Sequence, residues 1–242
     1  MNIDMHRIEV NGFAVDVVRK DIKHLHLAVY PPNGRIRVAV PLVLDDEAVR
    51  LAVIERLAWI KRQQRKFHEQ DRQSKREYVS GESHYFQGGR YRLNVIQREG
   101  PGQVVIRNKK ILDLYVRPGS TLQQRQRLLR TWYRTYLRNL ISPLIVKWEQ
   151  VMGVEVGNWG IKQMKTKWGT SNIDERRILV NLELAKKPPR SLEFILVHEM
   201  VHLLERHHND NFLAYMNKYL PSWRLYRDEL NRAPLAHEEW EY

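Results

Sequence analysis

Two histidines four residues apart inside an apolar run are the strongest constraint in this sequence. The segment reads Phe194-Ile195-Leu196-Val197-His198-Glu199-Met200-Val201-His202-Leu203-Leu204. On an α-helix, residues four apart share a face, one turn apart. Two imidazoles so placed can bind one zinc ion. Glu199 then projects beside the metal, where it can take a proton from a bound water. A carboxylate at that position makes the arrangement catalytic as well as binding. The flanks read as a buried helix. Pro188-Pro189 ends what precedes it, Ser191 to Phe194 opens it, and Ile195, Val197, Val201 and Leu204 supply apolar contacts. The alternative is a surface helix on which His198 and His202 are ordinary polar residues, paired with Glu205. Burial makes that costly, because two unpartnered imidazoles forfeit their hydrogen bonds.

A catalytic zinc shell has three protein ligands and a water. The third ligand must come from beyond the first two histidines. His208 follows His202 at the spacing of H-E-x-x-H-x-x-G-x-x-H, with Glu205 standing where a glycine would help the chain turn. His207 and a later carboxylate, Glu229, are the rivals. Asn209-Asp210-Asn211 offers turn chemistry, or a cap for a helix from Phe212.

The chain has 242 residues, enough for one large domain or two small ones. No run approaches the roughly 18 apolar residues that span a bilayer. Met1-Asn2-Ile3-Asp4 lacks the basic-then-apolar pattern of a signal segment. The absence of cysteine fits a cytoplasmic protein and leaves histidine and carboxylate as the strong zinc ligands. The same ligands also suit manganese, nickel or iron.

The net charge is +13, although the end of the chain, Glu238-Glu239 and Glu241, is acidic. From Thr121 to Trp148 there is no acid, and Arg130, Arg134 and Arg138 form a cationic stripe at helical spacing. Lys61, Arg62, Arg65 and Lys66 form a second cluster. Such surfaces attract polyanions, nucleic acid and nucleotides among them; the alternative is a solvated face that keeps the protein soluble.

Period-two runs at Phe13 to Val17, Leu25 to Val29 and Ile36 to Val40 predict strands, the last two joined as a hairpin through Pro31-Pro32-Asn33-Gly34. Asp45-Asp46-Glu47 opens a helix running to about Gln70, and a polar connector follows from Asp71 to Ser80. Strands return at Tyr91 to Val95, Val104 to Ile106 and Ile111 to Val116. A helix then runs from Thr121 to about Val151, with a bend at Pro143. Short strands near Val154 to Val156 and Ile178 to Leu182 precede the histidine helix, and a helix from about Asn211 to Tyr219 follows it. No internal repeat or low-complexity segment is visible. The segment Ile178 to Leu184 reads either as an edge strand able to pair with an extended substrate or as a core strand with no free edge. Trp168-Gly169-Thr170 reads as a cleft lining, or with Trp168 in the core.

Three further segments complete a pattern: Lys167-Trp168-Gly169-Thr170-Ser171-Asn172, Ile178-Leu179-Val180-Asn181-Leu182, and His208-Asn209-Asp210-Asn211-Phe212. With the His198–His202 motif they resemble the YgjP-like predicted metal-dependent hydrolases, zincins related to SprT-type and WLM-type metallopeptidases. Gly34 to Pro41, Trp59-Ile60 and Gly81 to Leu93 resemble that family's amino-terminal part, so the resemblance covers most of the chain. It implies a zinc-dependent hydrolase whose third ligand maps to His208. It says much less about the substrate.

The resulting expectation is an α+β fold. A β-rich part with one long helix, residues 1–118, precedes a zincin-like helical catalytic part with a short mixed sheet, residues 119–242. Zinc is held by His198, His202 and His208, and Glu199 acts as general base. The expected reaction is hydrolysis of a peptide or protein, as in a metallopeptidase. A metal-dependent nucleotide phosphohydrolase on the same site is one alternative. A nucleic-acid-binding module with a structural metal is another, and Glu199 argues against it, since a structural site needs no base.

Overall fold

Alternating apolar residues build the first sheet of the computed structural model, which describes residues 5–30, 33–69, 76–164 and 167–232. Met5–Val10 (β1), Phe13–Lys20 (β2), His26–Tyr30 (β3) and Arg35–Pro41 (β4) pair in the order β1-β2-β4-β3. In β4, Ile36, Val38 and Val40 are buried while the residues between them are not. The expected hairpin is present as the antiparallel β3–β4 pair, with Pro31-Pro32 lying outside the described residues. A second hairpin was not foreseen. It joins β1 to β2 through Asn11-Gly12, at φ of 50° and 80°, the geometry of a type I′ turn.

Asp46–Glu55 (α1) starts under Asp45, whose side chain accepts the Ala48 N–H at 2.9 Å. The single helix expected up to about Gln70 is interrupted at Arg56, whose N–H turns back to the Val53 carbonyl; Leu57–Glu69 (α2) follows. Val49, Val53 and Ile60 join Val15, Val17 and Val38 in one core.

The chain divides into two compact units, Met1–Arg72 and Gln73–Tyr242. The boundary expected near Pro118-Gly119-Ser120 therefore falls inside the second unit, where sheet and helix share a core. Ser83–Phe86 (β5), Gly89–Gln97 (β6), Gln103–Arg107 (β7) and Ile111–Val116 (β8) pair in the order β5-β6-β8-β7. This repeats the topology of the first sheet, antiparallel outside and parallel between the two middle strands. The hairpin turn repeats as well, with Gln87 and Gly88 at φ of 51° and 81°. So does the interval from turn to helix cap, Asn11 to Asp45 and Gln87 to Thr121. The sequence hides this repeat because turn geometry and burial pattern recur, not residue identity.

Leu122–Met152 (α3) is 31 residues long. Thr121 and Gln124 close a capping box at its start, and Gly153 ends it at φ 68°. The helix runs through Pro143 without a break. It buries Leu129, Tyr133, Leu137, Ile141, Ile145 and Trp148 against Leu93, Leu112 and Leu114 of the sheet.

The strand expected at Val154 to Val156 lies instead at Asn158–Lys162 (β9). The Val156 N–H is taken by the Glu149 carboxylate at 2.7 Å, which folds that stretch back onto the end of α3. Gly169–Asn172 (β10) and Arg177–Asn181 (β11) complete a short mixed sheet in the order β10-β11-β9. After a 3-10 turn at Leu182–Lys186 come Pro189–Val201 (α4), Asp210–Tyr219 (α5) and Trp223–Arg232 (α6). Helix α6 was not expected, although Trp223, Tyr226 and Leu230 carry its apolar spacing. Leu192, Leu196, Val197 and Met200 hold α4 in the middle of the second core. The fold is α+β, and no described helix is long and apolar enough to cross a membrane.

Candidate metal centre

The α4 sequence supplies little beyond apolar residues until its last turn. Pro188 and Pro189 start the helix without a side-chain cap, and His202 closes it. His198 and Glu199 therefore sit in the final turn of a helix that is buried on nearly every side. The chain then reverses through Leu203 and Leu204, whose N–H groups bond back to Met200 and Val201 at 3.0 and 2.9 Å. Asn209 caps α5, accepting the Phe212 N–H at 3.0 Å. This reversal brings His208 over the helix.

The three imidazoles converge. His198, His202 and His208 each offer a ring nitrogen within 4.8 Å of the other two. The Nε2 atoms of His198 and His208 are 3.1 Å apart. Metal–nitrogen bonds of about 2.0–2.1 Å in a tetrahedral shell put two ligand nitrogens about 3.3 Å apart, so the cluster has the size of a metal site. Phe212 floors it, with its ring 4.6–5.0 Å from all three imidazoles. His202 Nδ1 lies 3.1 Å from the Glu205 carbonyl, the outer contact that fixes a ligand's tautomer and frees Nε2. Burial, and then the neighbouring histidines, push His198 down to about 3, so its lone pair is free for a cation. Burial also lowers His202. The donor set fits a metal ion.

Glu205 explains how the turn forms without glycine. Among the described residues none between His202 and Asn209 has positive φ, so no glycine is required. The Glu205 carboxylate accepts the His207 N–H at 3.1 Å and is held below its usual range by that bond and by Asn209. His207 is exposed and outside the cluster. Glu229 is engaged by Arg190 on α4 through both oxygens and is also outside it.

Glu199 is 6% exposed. Burial raises its carboxyl to about 7, against a hydrogen bond from Ser171 and the charge of Lys167. Gly169 lies directly against it. Sequence reasoning gave Gly169 a place in the Trp168-Gly169-Thr170 cleft lining and Ser171 no role. Trp168 itself packs on the core, with the Lys187 ammonium 5.5 Å over its ring. Of the two readings of Ile178 to Leu184, the structure has the core strand: β11 is flanked by β10 and β9. The sheet edge beside α4 belongs to β10, whose outer side pairs with no other described strand. On α3, Arg134 and Arg138 make no ion pair among the described residues.

A family model described as YgjP-like, metallopeptidase domain, matches residues 23–233. The chain belongs to the YgjP-like family. Membership makes it a metal-dependent hydrolase domain of the metallopeptidase type and implies a metal cofactor, which the histidine cluster can hold. No curated protein matches this YgjP-like chain in sequence. Among solved structures it is similar to the crystal structure of the metallopeptidase zymogen of Pyrococcus abyssi abylysin. The two are 17% identical with a TM-score of 0.35, over 37% of this chain and 90% of that one.

Proposed function

We propose that this YgjP-like protein is a zinc-dependent metallopeptidase in which His198, His202 and His208 hold the ion and Glu199 is the general base. The observation that carries the reading is the convergence of three imidazole nitrogens within 4.8 Å, with a buried glutamate as the residue after the first histidine. Zinc in such a site supplies Lewis acidity and lowers the pKa of a water towards about 7. His198 and His202 offer neutral nitrogens from one helix face, and His208 adds the third from the reversal. Glu199 takes the proton of the attacking water and returns it to the leaving amine. The open edge of β10 offers backbone donors and acceptors to an extended peptide, which favours a peptide substrate.

The test is to incubate zinc-loaded protein separately with unfolded casein and with nucleoside triphosphates, each beside a chelator-treated control. New peptide termini, absent with chelator, are the expected result. Phosphate release without peptide cleavage would move the site to nucleotide hydrolysis.

A further inference from the structure

We propose that strand β10 is the seat of Glu199: Gly169 sets how closely the carboxylate lies against the strand. Gly169 is then a positioning residue, a role that rests on the assignment of Glu199 as the base. A Cβ added at Gly169 would lie 2.6 Å from Glu199 Oε1, 2.8 Å from its Cγ and 2.8 Å from Ile195 Cγ2. Seven other glycines have positive φ, but Gly169 does not, so its backbone could carry any residue. Space requires the glycine, not conformation. Ile195 and Glu199 are one helical turn apart, so both contacts fall on the face of α4 turned to the strand.

The strand cannot withdraw to make room. Gly169 and Ser171 pair with Val180 and Ile178 of β11. The preceding segment is clamped by the buried Asn181, whose Nδ2 donates to the Met164 and Lys167 carbonyls at 2.8 Å each. The Asn181 N–H donates to the Trp168 carbonyl at 2.8 Å. An added methyl must therefore move Glu199 or α4. Restoring an ordinary contact of about 3.5–4 Å takes a shift of roughly 1 Å. A misplacement of that size costs on the order of 100-fold in rate.

The test uses the full chain, first without metal or substrate. Gly169→Ala should lower the Tm by roughly 2–10 °C. In a Glu199→Ala background that penalty should fall by roughly half, the Ile195 contact remaining. Should Gly169→Ala fail to fold, recovery on adding Glu199→Ala supports the seat and no recovery overturns it. Additive effects of Gly169→Ala and Glu199→Ala would overturn the proposal whatever the protein hydrolyses. The zinc-loaded protein acting on a casein-derived peptide gives a second readout. Gly169→Ala should lower kcat with KM and zinc content unchanged. A rise in KM alone would also overturn the proposal. A wild type that cleaves nothing counts against the metallopeptidase reading and leaves the thermal cycle to judge the seat.

Discussion

The two four-stranded sheets share order, pairing sense and hairpin turn, yet the tips of their first hairpins are used differently. At Asn11-Gly12, nothing among the described residues lies within 4 Å of where a Gly12 side chain would point. At Gln87-Gly88 the tip is bonded into the approach to α4: the Gln87 and Gly88 N–H groups donate to the Ala185 and Lys186 carbonyls at 3.0 and 3.1 Å. Pro188, the residue that starts α4, lies 2.8 Å from where a Gly88 Cβ would be. The same hairpin tip thus carries no packing at Gly12 among the described residues and braces the histidine helix at Gly88. Glycine meets one demand, positive φ, at position 12. It meets two, positive φ and close approach, at position 88.

The largest expected effect confines metal binding to the braced unit. His198→Ala or His202→Ala should weaken zinc binding by well over the roughly 100-fold of an outer-shell change. His208→Ala should do the same. His207→Ala, and His26→Ala in the first sheet, should change it little. Equilibrium dialysis with zinc decides. Comparable losses from His207→Ala would move the third ligand by one position.

The second effect separates the two turns. Gly12→Ala adds only the strain of positive φ, roughly 1–2 kcal/mol. Gly88→Ala adds the Pro188 overlap, about 1–3 kcal/mol more, and should also reduce zinc affinity because it displaces the start of α4. Equal denaturation midpoints for the two variants would remove the brace from the account.

A smaller effect tests what the sheets share. Each buries an aspartate against arginine: Asp113 is held below its usual range by Arg107 and by Asn94, and Asp16, despite burial, by Arg35 and Arg7. A carboxylate whose folded pKa is depressed stabilises the fold above its unfolded value, near 4, and loses that contribution as pH falls through the folded value. Stability should therefore decline below about pH 4. Asp113→Asn should flatten that decline for the second unit only, and Asp16→Asn for the first only, as read by acid titration with a probe in each unit.

The smallest effect concerns the basic surface. If α3 contacts polyanions, duplex DNA binding should weaken with salt at a log-log slope of about −0.9 per phosphate contact, or about −0.7 on a single strand. Replacing Arg130, Arg134 and Arg138 with glutamine should reduce the slope by about two to three contacts' worth and leave zinc content alone. No binding at low salt would return the stripe to a solvated face.

The parts of this molecule that the sequence displays are those written in short-range spacing. The His198–His202 pair, the step to His208, the Thr121 and Asn209 caps and the alternation of Ile36, Val38 and Val40 are all local patterns. Strand β10 was invisible as a strand because Gly-Thr-Ser-Asn has no apolar alternation and is held by β11 and Asn181. The seat under Glu199 depends on contacts thirty or so residues apart along the chain, which periodicity does not report. The boundary near residue 118 looked sound because composition changes there, but Leu112 and Leu114 share their core with Leu129 and Leu137 across it. The Asn11-Gly12 turn was legible in principle, as Asn-Gly between apolar alternations is a hairpin signal.

The most direct measurement is the zinc content and peptide turnover of Glu199→Gln beside the wild type. The amide fills the same space but accepts no proton. The account predicts about one zinc per chain in both proteins and a kcat lower by at least about 10²–10⁴-fold in the variant. Unchanged turnover in a zinc-loaded Glu199→Gln protein would contradict it.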